Sequence, residues 1–104
     1  EEAQKSPQAE AVLAFERSMR AGDIQASRKY ATARRNKEVD GIVAVMGKDF
    51  LLNQARLYIP EDAVRRKQVV EVVERGDHAI VIFVNDGARE PAPVVKNRNQ
   101  WFVE

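Results

Sequence analysis

Cysteine is absent from the 104-residue sequence, and histidine occurs only once, as His78. Without thiols the chain has neither a disulfide framework nor a thiolate nucleophile. A single histidine cannot form a usual zinc site, and none of the serines lies in the strand–turn–helix pattern of a serine nucleophile. We therefore predict no catalytic residue, no bound metal and no cofactor.

An excess of one charge is also lacking, because 17 basic and 16 acidic residues give a formal net charge of +1. Such a balance is not typical of a dedicated nucleic-acid or membrane-surface protein. The sequence has no run of about 18 apolar residues, which is the length that a membrane-spanning helix needs. We expect no nucleic-acid partner and no membrane span.

What the sequence does contain is a run of β-branched residues interrupted by a glycine turn, QVVEVVERGDHAIVIFVN over residues 68–85. Gly76-Asp77 predicts the two-residue loop of a β-hairpin. Residues 79–84 are apolar at every position, which predicts a central strand. The cross-strand pairs expected from this loop are Arg75 with His78, Val73 with Ile80, Val72 with Val81, and Val70 with Phe83.

Side chains alternate between the two faces of a strand, and both faces of this hairpin are largely apolar. The first face carries Val70, Val72, Val81 and Phe83 and is predicted to pack on helices. The second face is interrupted by one acid, Glu71, and is too apolar for water. We predict that a loop, the curl of the sheet or another chain covers it. Its candidate interface residues are Val69, Val73, Ile80, Ile82 and Val84.

The chain before the hairpin predicts helices. Ser6-Pro7 is a typical helix start, and Gly22 is a typical helix end. Asp23 is predicted to cap a second, short helix that extends to about residue 31. Apolar spacings of three and four predict further helices near 36–46 and 49–58, with a break at Gly47. The competing interpretation is a strand at residues 41–46, GIVAVM, which are rich in β-formers.

The end of the chain predicts a turn, a loop and one last strand. Residues 88–93 are interpreted as loop, because Pro91 and Pro93 are unsuited to a central strand. Val94, Val95 and residues 101–103 predict the last strand, bent around 97–99. The fold class is therefore α+β, with N-terminal helices packed on a curved antiparallel sheet of about three or more strands. A polar tether, residues 1–8, precedes a single domain, residues 9–104.

The pattern of the first helix also allows a cavity between that helix and the sheet. Glu16 lies within the apolar stripe of the helix, either as a buried carboxylate with a raised pKa or at the stripe edge, paired with Arg20. Aromatic residues at the other positions are typical of core as well as of a pocket. The candidate ligand-binding residues are Phe15, Glu16, Met19, Tyr30, Tyr58 and Trp101.

A basic cluster precedes and enters the third predicted helix. Because acids follow it directly at Glu38 and Asp40, we interpret it as a solvated helix face. The alternative is a docking patch for an acidic partner or a lipid headgroup. The cluster consists of Arg28, Lys29, Arg34, Arg35 and Lys37.

Three short motifs in this order resemble the nuclear-transport-factor-2-like superfamily, also called the ketosteroid-isomerase or SnoaL-like cone fold. They are Met19-Arg20-Ala21-Gly22-Asp23-Ile24, Gly76-Asp77-His78-Ala79-Ile80-Val81 and Gln100-Trp101-Phe102-Val103. The resemblance implies helices followed by a curved antiparallel sheet; a small helix-then-hairpin domain without a closed cone is the rival fold. The family's enzymes use a pocket Tyr or Asp on helix 1 and the sheet. Here the only acids at these places are Glu16 on helix 1 and Glu71 on the sheet, and no acid–base pair of the family carries over by motif. The resemblance therefore implies a non-catalytic member of the small bacterial exported type.

The sequence thus favours a non-enzymatic binding or assembly domain that acts through its apolar sheet face, by self-association or with a protein partner. The polar start of the chain suggests an exported or periplasmic protein, lipid-anchored in one version of this hypothesis; a cytoplasmic protein is the alternative. The second functional hypothesis is a small apolar-ligand binder or weak acid–base enzyme with Glu16 in its cavity.

Overall fold

A computed structural model describes residues 5–58, 68–85 and 87–104, except for the side chains of Tyr58 and Asn85. Helices come first and strands follow, so the predicted α+β class is confirmed. In this described part of the chain, four strands form one antiparallel sheet in the order β1-β2-β3-β4. The elements are α1 (Pro7–Arg20), α2 (Ile24–Ser27), a 3₁₀ turn (Arg28–Tyr30), α3 (Ala33–Met46), α4 (Lys48–Tyr58), β1 (Gln68–Arg75), β2 (His78–Asn85), β3 (Ala88–Asn97) and β4 (Gln100–Val103).

The first two helices begin where side-chain caps are available. The Ser6 hydroxyl accepts a hydrogen bond from the backbone N–H of Ala9 at 3.1 Å, and the Asp23 carboxylate accepts one from Ala26 at 3.0 Å. Both satisfy N–H groups that have no partner inside the helix. Gly22, with φ of 77°, adopts the left-handed conformation after α1. These predicted boundaries are confirmed, although α2 ends at Ser27 and continues only as the 3₁₀ turn.

Pro7 and Gln8, which the prediction assigned to the tether, belong to α1. Gln8 is buried, and its side-chain amide donates a hydrogen bond to the Glu74 carboxylate on β1. The first turn of α1 is therefore attached to the sheet. The reason is the cap at Ser6, because a helix that starts there includes the next two residues.

Residues 41–46 are helical, so the competing strand interpretation is wrong. The Thr32 hydroxyl accepts a hydrogen bond from Arg35 N–H at 3.1 Å and starts α3 three residues earlier than predicted. Gly47, with φ of 91°, is the single residue between α3 and α4, which confirms the predicted break. A helix cap and helical spacing of apolar residues outweigh the β-propensity of the segment.

The predicted hairpin loop at Gly76-Asp77 is confirmed, with Arg75 opposite His78 and Val72 opposite Val81. Gly76 has φ of 59°, as a tight turn of this kind requires. β2 lies between β1 and β3, so its prediction as an interior strand is also confirmed.

The predicted pair of Val70 with Phe83 is wrong. A β-bulge between Val69 and Glu71 makes Val69 the partner of Phe83. One extra residue reverses the alternation of side chains before it. As a result Val69 is 6% exposed and belongs to the core, whereas Val70 is 45% exposed. Val69 is thereby removed from the predicted interface.

The loop predicted over residues 88–93 is also wrong, because Pro91 and Pro93 lie within β3, opposite Ile82 and Ile80. The backbone N–H of Lys96 donates to the hairpin loop on the β2 side of β3. Backbone N–H groups point alternately to the two sides of a strand, so the nitrogens of Pro91 and Pro93 point away from β2. β4 pairs with β3 from Val94 onward, and beyond its end the Glu104 N–H donates to the Pro93 carbonyl at 3.1 Å. The Glu104 carbonyl accepts from the Arg35 side chain, so the missing N–H of Pro93 is not needed there.

The predicted bent last strand consists of two strands. Arg98 and Asn99 have φ of 54° and 63° and form a tight turn between β3 and β4. Two consecutive left-handed residues are typical of the hairpin turn that matches strand twist, and asparagine tolerates this conformation.

Helix α1 covers one face of the sheet, here called the inner face, and contacts all four strands. α4 contacts both α1 and α3, and its buried residues are Leu51 and Ala55. Thr32 N–H donates to the Val103 carbonyl at 2.9 Å, which attaches the start of α3 to β4. The buried cluster consists of Ala9, Ala11, Val12, Leu13, Val69, Ala79, Val81, Phe83, Val94, Trp101 and Val103.

Candidate functional site

The candidate site is the other face of the sheet, here called the outer face. Strand register places Ile80 between Val73 on β1 and Pro93 on β3, and these three form an apolar row across the sheet. Ile80 is 44% exposed and Val73 is 42% exposed. The other members of the outer face are the strand residues that alternate with the buried residues of the inner face. The apolar residues of the outer face are Val73, Ile80, Ile82, Val84, Pro91, Pro93, Val95 and Phe102.

Three charged residues of the strands lie on the outer face by register: Glu71 and Arg89 beside the apolar row, and Arg75 opposite His78 at the hairpin end. Arg89 Nη2 is 3.5 Å from Glu71 Oε1, with both side chains more than half exposed. An exposed ion pair of this kind stabilises a fold very little. For the site this means that an ion pair with no net charge lies next to the apolar row.

The first turns of α3 border the outer face beside β4. A groove of about 220 Å³ lies between Pro93 and this part of α3, with Arg34, Arg35, Glu38 and Glu104 as its other lining residues. Arg35 donates to the backbone carbonyl of Glu104 at 2.6 Å and lies 3.3 Å from Glu38. Arg28 is paired with Asp40 at 2.7 Å. These contacts agree with the interpretation of the basic cluster as a paired, solvated helix face.

The structure brings two of the six predicted ligand-binding residues together. Tyr30 and Trp101 line a groove of about 210 Å³ with Pro7, Glu10 and Ala11 of α1. The ammonium group of Lys96 lies 6.0 Å from the centroid of the Trp101 ring.

The other predicted ligand-binding residues lie elsewhere. Phe15 packs against the buried cluster. Met19 and Glu16 are half-buried further along α1, with Glu16 Oε2 screened from solvent. None of these three lines the groove beside Trp101. The side chain of Tyr58 lies outside the described part of the chain.

Four of the five predicted interface residues share the outer face: Val73, Ile80, Ile82 and Val84. The sequence analysis missed the residues that β3 and β4 contribute. Val95 and Phe102 face each other across those strands, and their apolar character was the available signal. Pro91 and Pro93 gave the opposite signal, because proline is usually a breaker of strands.

A second apolar surface lies at the end of α3. Ile42, Val45 and Met46 have the spacing of one helical face and are all exposed, Val45 at 81%. We call these three residues the α3 ridge. Within α3 the buried residue is Val39, so the last two turns of this helix project from the domain. Phe50 and Leu57 on α4 are exposed as well.

Helices followed by a curved antiparallel sheet with one covered face define this chain as a two-layer α+β domain. Comparisons with protein-family models, curated proteins and solved structures found no match. None of the helices in the described part of the chain combines the length and the apolar character needed to cross a bilayer.

Proposed function

We propose that this chain is a non-enzymatic binding or assembly domain that acts through the outer face of its sheet. The observation that carries the proposal is the apolar row of Val73, Ile80 and Pro93. A sheet with one solvated face normally alternates apolar and polar residues. Contiguous apolar surface of this kind is typical of protein interaction sites.

The energetic argument concerns the exposed remainder of these side chains. Burying the exposed 44% of Ile80 against a partner would contribute about 1–2 kcal/mol. Several neighbours on the same face add similar or smaller amounts, and the Glu71–Arg89 pair stays satisfied at the rim. An apolar sheet face of this kind suits association better than catalysis.

A pair of lysine substitutions tests this proposal. Ile80→Lys places a charge on the outer face, and Leu57→Lys places one at a 66% exposed apolar position on α4. We expect the wild-type chain either to self-associate in light scattering or to bind an apolar fluorescent dye. Ile80→Lys should abolish that behaviour, and Leu57→Lys should preserve it. A wild-type monomer that binds no dye, or equal effects of both variants, contradicts the proposal.

The family and the compartment are part of the same proposal. The order of helices followed by an antiparallel meander agrees with what the resemblance to the nuclear-transport-factor-2-like superfamily implies. We propose a non-catalytic, exported bacterial member of that superfamily. An experimental structure in which the sheet does not curve around α1 would contradict the family assignment, and retention of the full-length protein in the cytoplasm would contradict export.

A second candidate function, binding of a small apolar ligand, is favoured by the groove between Tyr30 and Trp101. Its volume of about 210 Å³ is below the roughly 300–1,000 Å³ of usual ligand pockets, so it suits a fragment or one side chain. Because Trp101 is the single tryptophan, its emission reports on this groove. A saturable change with small aromatic probes that Tyr30→Ala removes would support the site, and an unchanged emission would exclude it.

A further inference from the structure

We infer that the edge of the sheet formed by residues 71–75, here called the β1 edge, pairs antiparallel with the β1 edge of a second copy of this chain. The pairing is two-fold symmetric and centred on Val73, and it joins the two sheets into one. It concerns the edge of the sheet, whereas the proposed function concerns its outer face, so the two can fail separately. What it adds is a named partner and a residue-by-residue register.

The two edges of the sheet differ in what lies beside them. At β4 the Thr32 N–H donates to the Val103 carbonyl, and Ala31 forms a parallel bridge with Val103. The start of α3 therefore covers part of that edge. At the other edge, β1 pairs with β2 and with no further segment of the described part of the chain. An unpaired strand edge is a template for pairing with another strand.

Strand register identifies the backbone groups that the β1 edge presents. Residues that flank a two-residue hairpin loop exchange both backbone hydrogen bonds, as Arg75 and His78 do across this loop. Bonding to β2 then alternates along β1, so the N–H and C=O groups of Val72 and Glu74 point away from β2. The strand is regular over this stretch, because its bulge lies before Glu71. Two donors and two acceptors are thus aligned along the edge.

Charge selects an identical copy as the partner. The outer-face side chains of the β1 edge are Glu71, Val73 and Arg75, so an acid and a base flank a valine. When Val73 lies opposite Val73 of a second copy in an antiparallel pair, each Glu71 lies opposite an Arg75. Opposite charges directly across two strands stabilise the pair, and like charges destabilise it. The β1 edge is therefore complementary to itself.

The backbone groups and the charges agree on one register. With Val73 on the two-fold axis, Val72 lies opposite Glu74 of the second copy, and the outward groups of these residues form four N–H to C=O hydrogen bonds. Shifts of two residues also keep such groups facing each other. One of them places Glu71 opposite Asp77, which is a pair of like charges, and the other places Glu71 opposite Val73.

Neither charge is prevented from pairing across the edge. Glu71 Oε1 is 3.5 Å from Arg89 with both side chains more than half exposed, and a carboxylate can accept from a second cation. Arg75 is exposed and forms no ion pair within the described part of the chain. The formal net charge of +1 gives two copies little reason to repel each other.

The contact is short, so the dimer is weak and reversible. Pairing of five residues buries less than the roughly 800 Å² that each partner buries in an interface of standard size. Its effect on the proposed function is to enlarge the outer face. The apolar row of Val73, Ile80 and Pro93 then continues across the two-fold axis into the same row of the second copy.

Charge reversal at the two edge positions tests the register. Glu71→Arg gives the edge two bases and Arg75→Glu gives it two acids, so each variant repels its own copy and attracts the other variant. Lys37→Glu, the same reversal at an exposed position on α3, is the matched control for Arg75→Glu. Sedimentation equilibrium at up to about 1 mM protein covers weak dimers, and circular dichroism checks folding.

We expect each edge reversal to weaken the wild-type dimer by about tenfold or more and Lys37→Glu to leave its dissociation constant within about twofold. An equimolar mixture of Glu71→Arg and Arg75→Glu chains should dimerise about as tightly as the wild type, because both charge pairs form again. A second readout needs no variant: the amide protons of Val72 and Glu74 should exchange more slowly with solvent as the wild-type concentration rises.

A wild-type chain that stays monomeric, or a dimer that neither reversal affects, overturns the inference. Reversals that weaken the dimer without recovery in the mixture also overturn it, because the charges then do not face each other. A dimer that Ile80→Lys breaks and the reversals spare is an outer-face dimer, so the inference fails and the proposed function stands. If the reversals behave as expected but Ile80→Lys leaves dye binding unchanged, the inference stands and the proposed function fails.

Discussion

The inner and outer faces of the sheet are built from adjacent residues of the same strands, yet their environments differ completely. Val81 is fully buried, whereas its neighbour Ile80 is 44% exposed. Both are β-branched and apolar, so strand sequence does not explain the difference. The cause is α1, which lies across one face and contacts all four strands. An apolar face is thus the core or a candidate interface according to which elements cover it.

The largest expected effect comes from truncating side chains at equivalent places on the two faces. Phe83 is 1% exposed, and Phe83→Ala should lower the free energy of unfolding by about 3–5 kcal/mol, because it leaves a cavity under α1. Ile80→Ala should cost less than about 1 kcal/mol at concentrations where the chain is monomeric. Urea denaturation measures both. Similar losses for the two variants would mean that the outer face is covered within one copy.

A smaller effect distinguishes the two valines around the bulge in β1. Val69→Ala should lower the free energy of unfolding by about 1–3 kcal/mol, because Val69 is 6% exposed and lies opposite Phe83. Val70→Ala should change it by less than about 0.5 kcal/mol, because the Val70 side chain is 45% exposed. If side chains alternated without interruption from the hairpin loop, Val70 would be buried and Val70→Ala would be the more destabilising variant. This pair of measurements therefore tests the bulge directly.

The parts of the fold that the sequence predicted depend on local chemistry. Ser6 and Asp23 cap helices with hydrogen bonds to residues three positions away. Gly76 forms a two-residue turn whose geometry sets the nearest cross-strand pairs. Each of these interactions involves neighbours in the chain, so the sequence pattern contains the information that is needed.

The errors occurred where a strand position depends on a partner strand. Pro91 and Pro93 are compatible with β3 because their nitrogens lie on the side of β4, which pairs mainly with the other end of that strand. The bulge at Val70 depends on the pairing of Val69 with Phe83. Neither arrangement has a local signal in the sequence.

The candidate site was therefore predicted in part. Register from the hairpin loop identified Val73, Ile80, Ile82 and Val84 as neighbours, because all four lie on the loop side of the bulge or on the unbulged strand. The contributions of β3 and β4 needed the complete sheet. The α3 ridge had a helical pattern in the sequence, but its exposure follows from the position of α3 at the margin of the domain.

By itself the sequence determined the first helices, their caps and the hairpin of β1 and β2, because hydrogen bonds and backbone preferences over a few residues specify them. Only the tertiary structure decided where the bulge fell, that β3 includes Pro91 and Pro93, and which helix end stayed exposed. Those outcomes depend on how the strands pair and on how α1 and α3 pack relative to the sheet, and residues distant in sequence make those contacts.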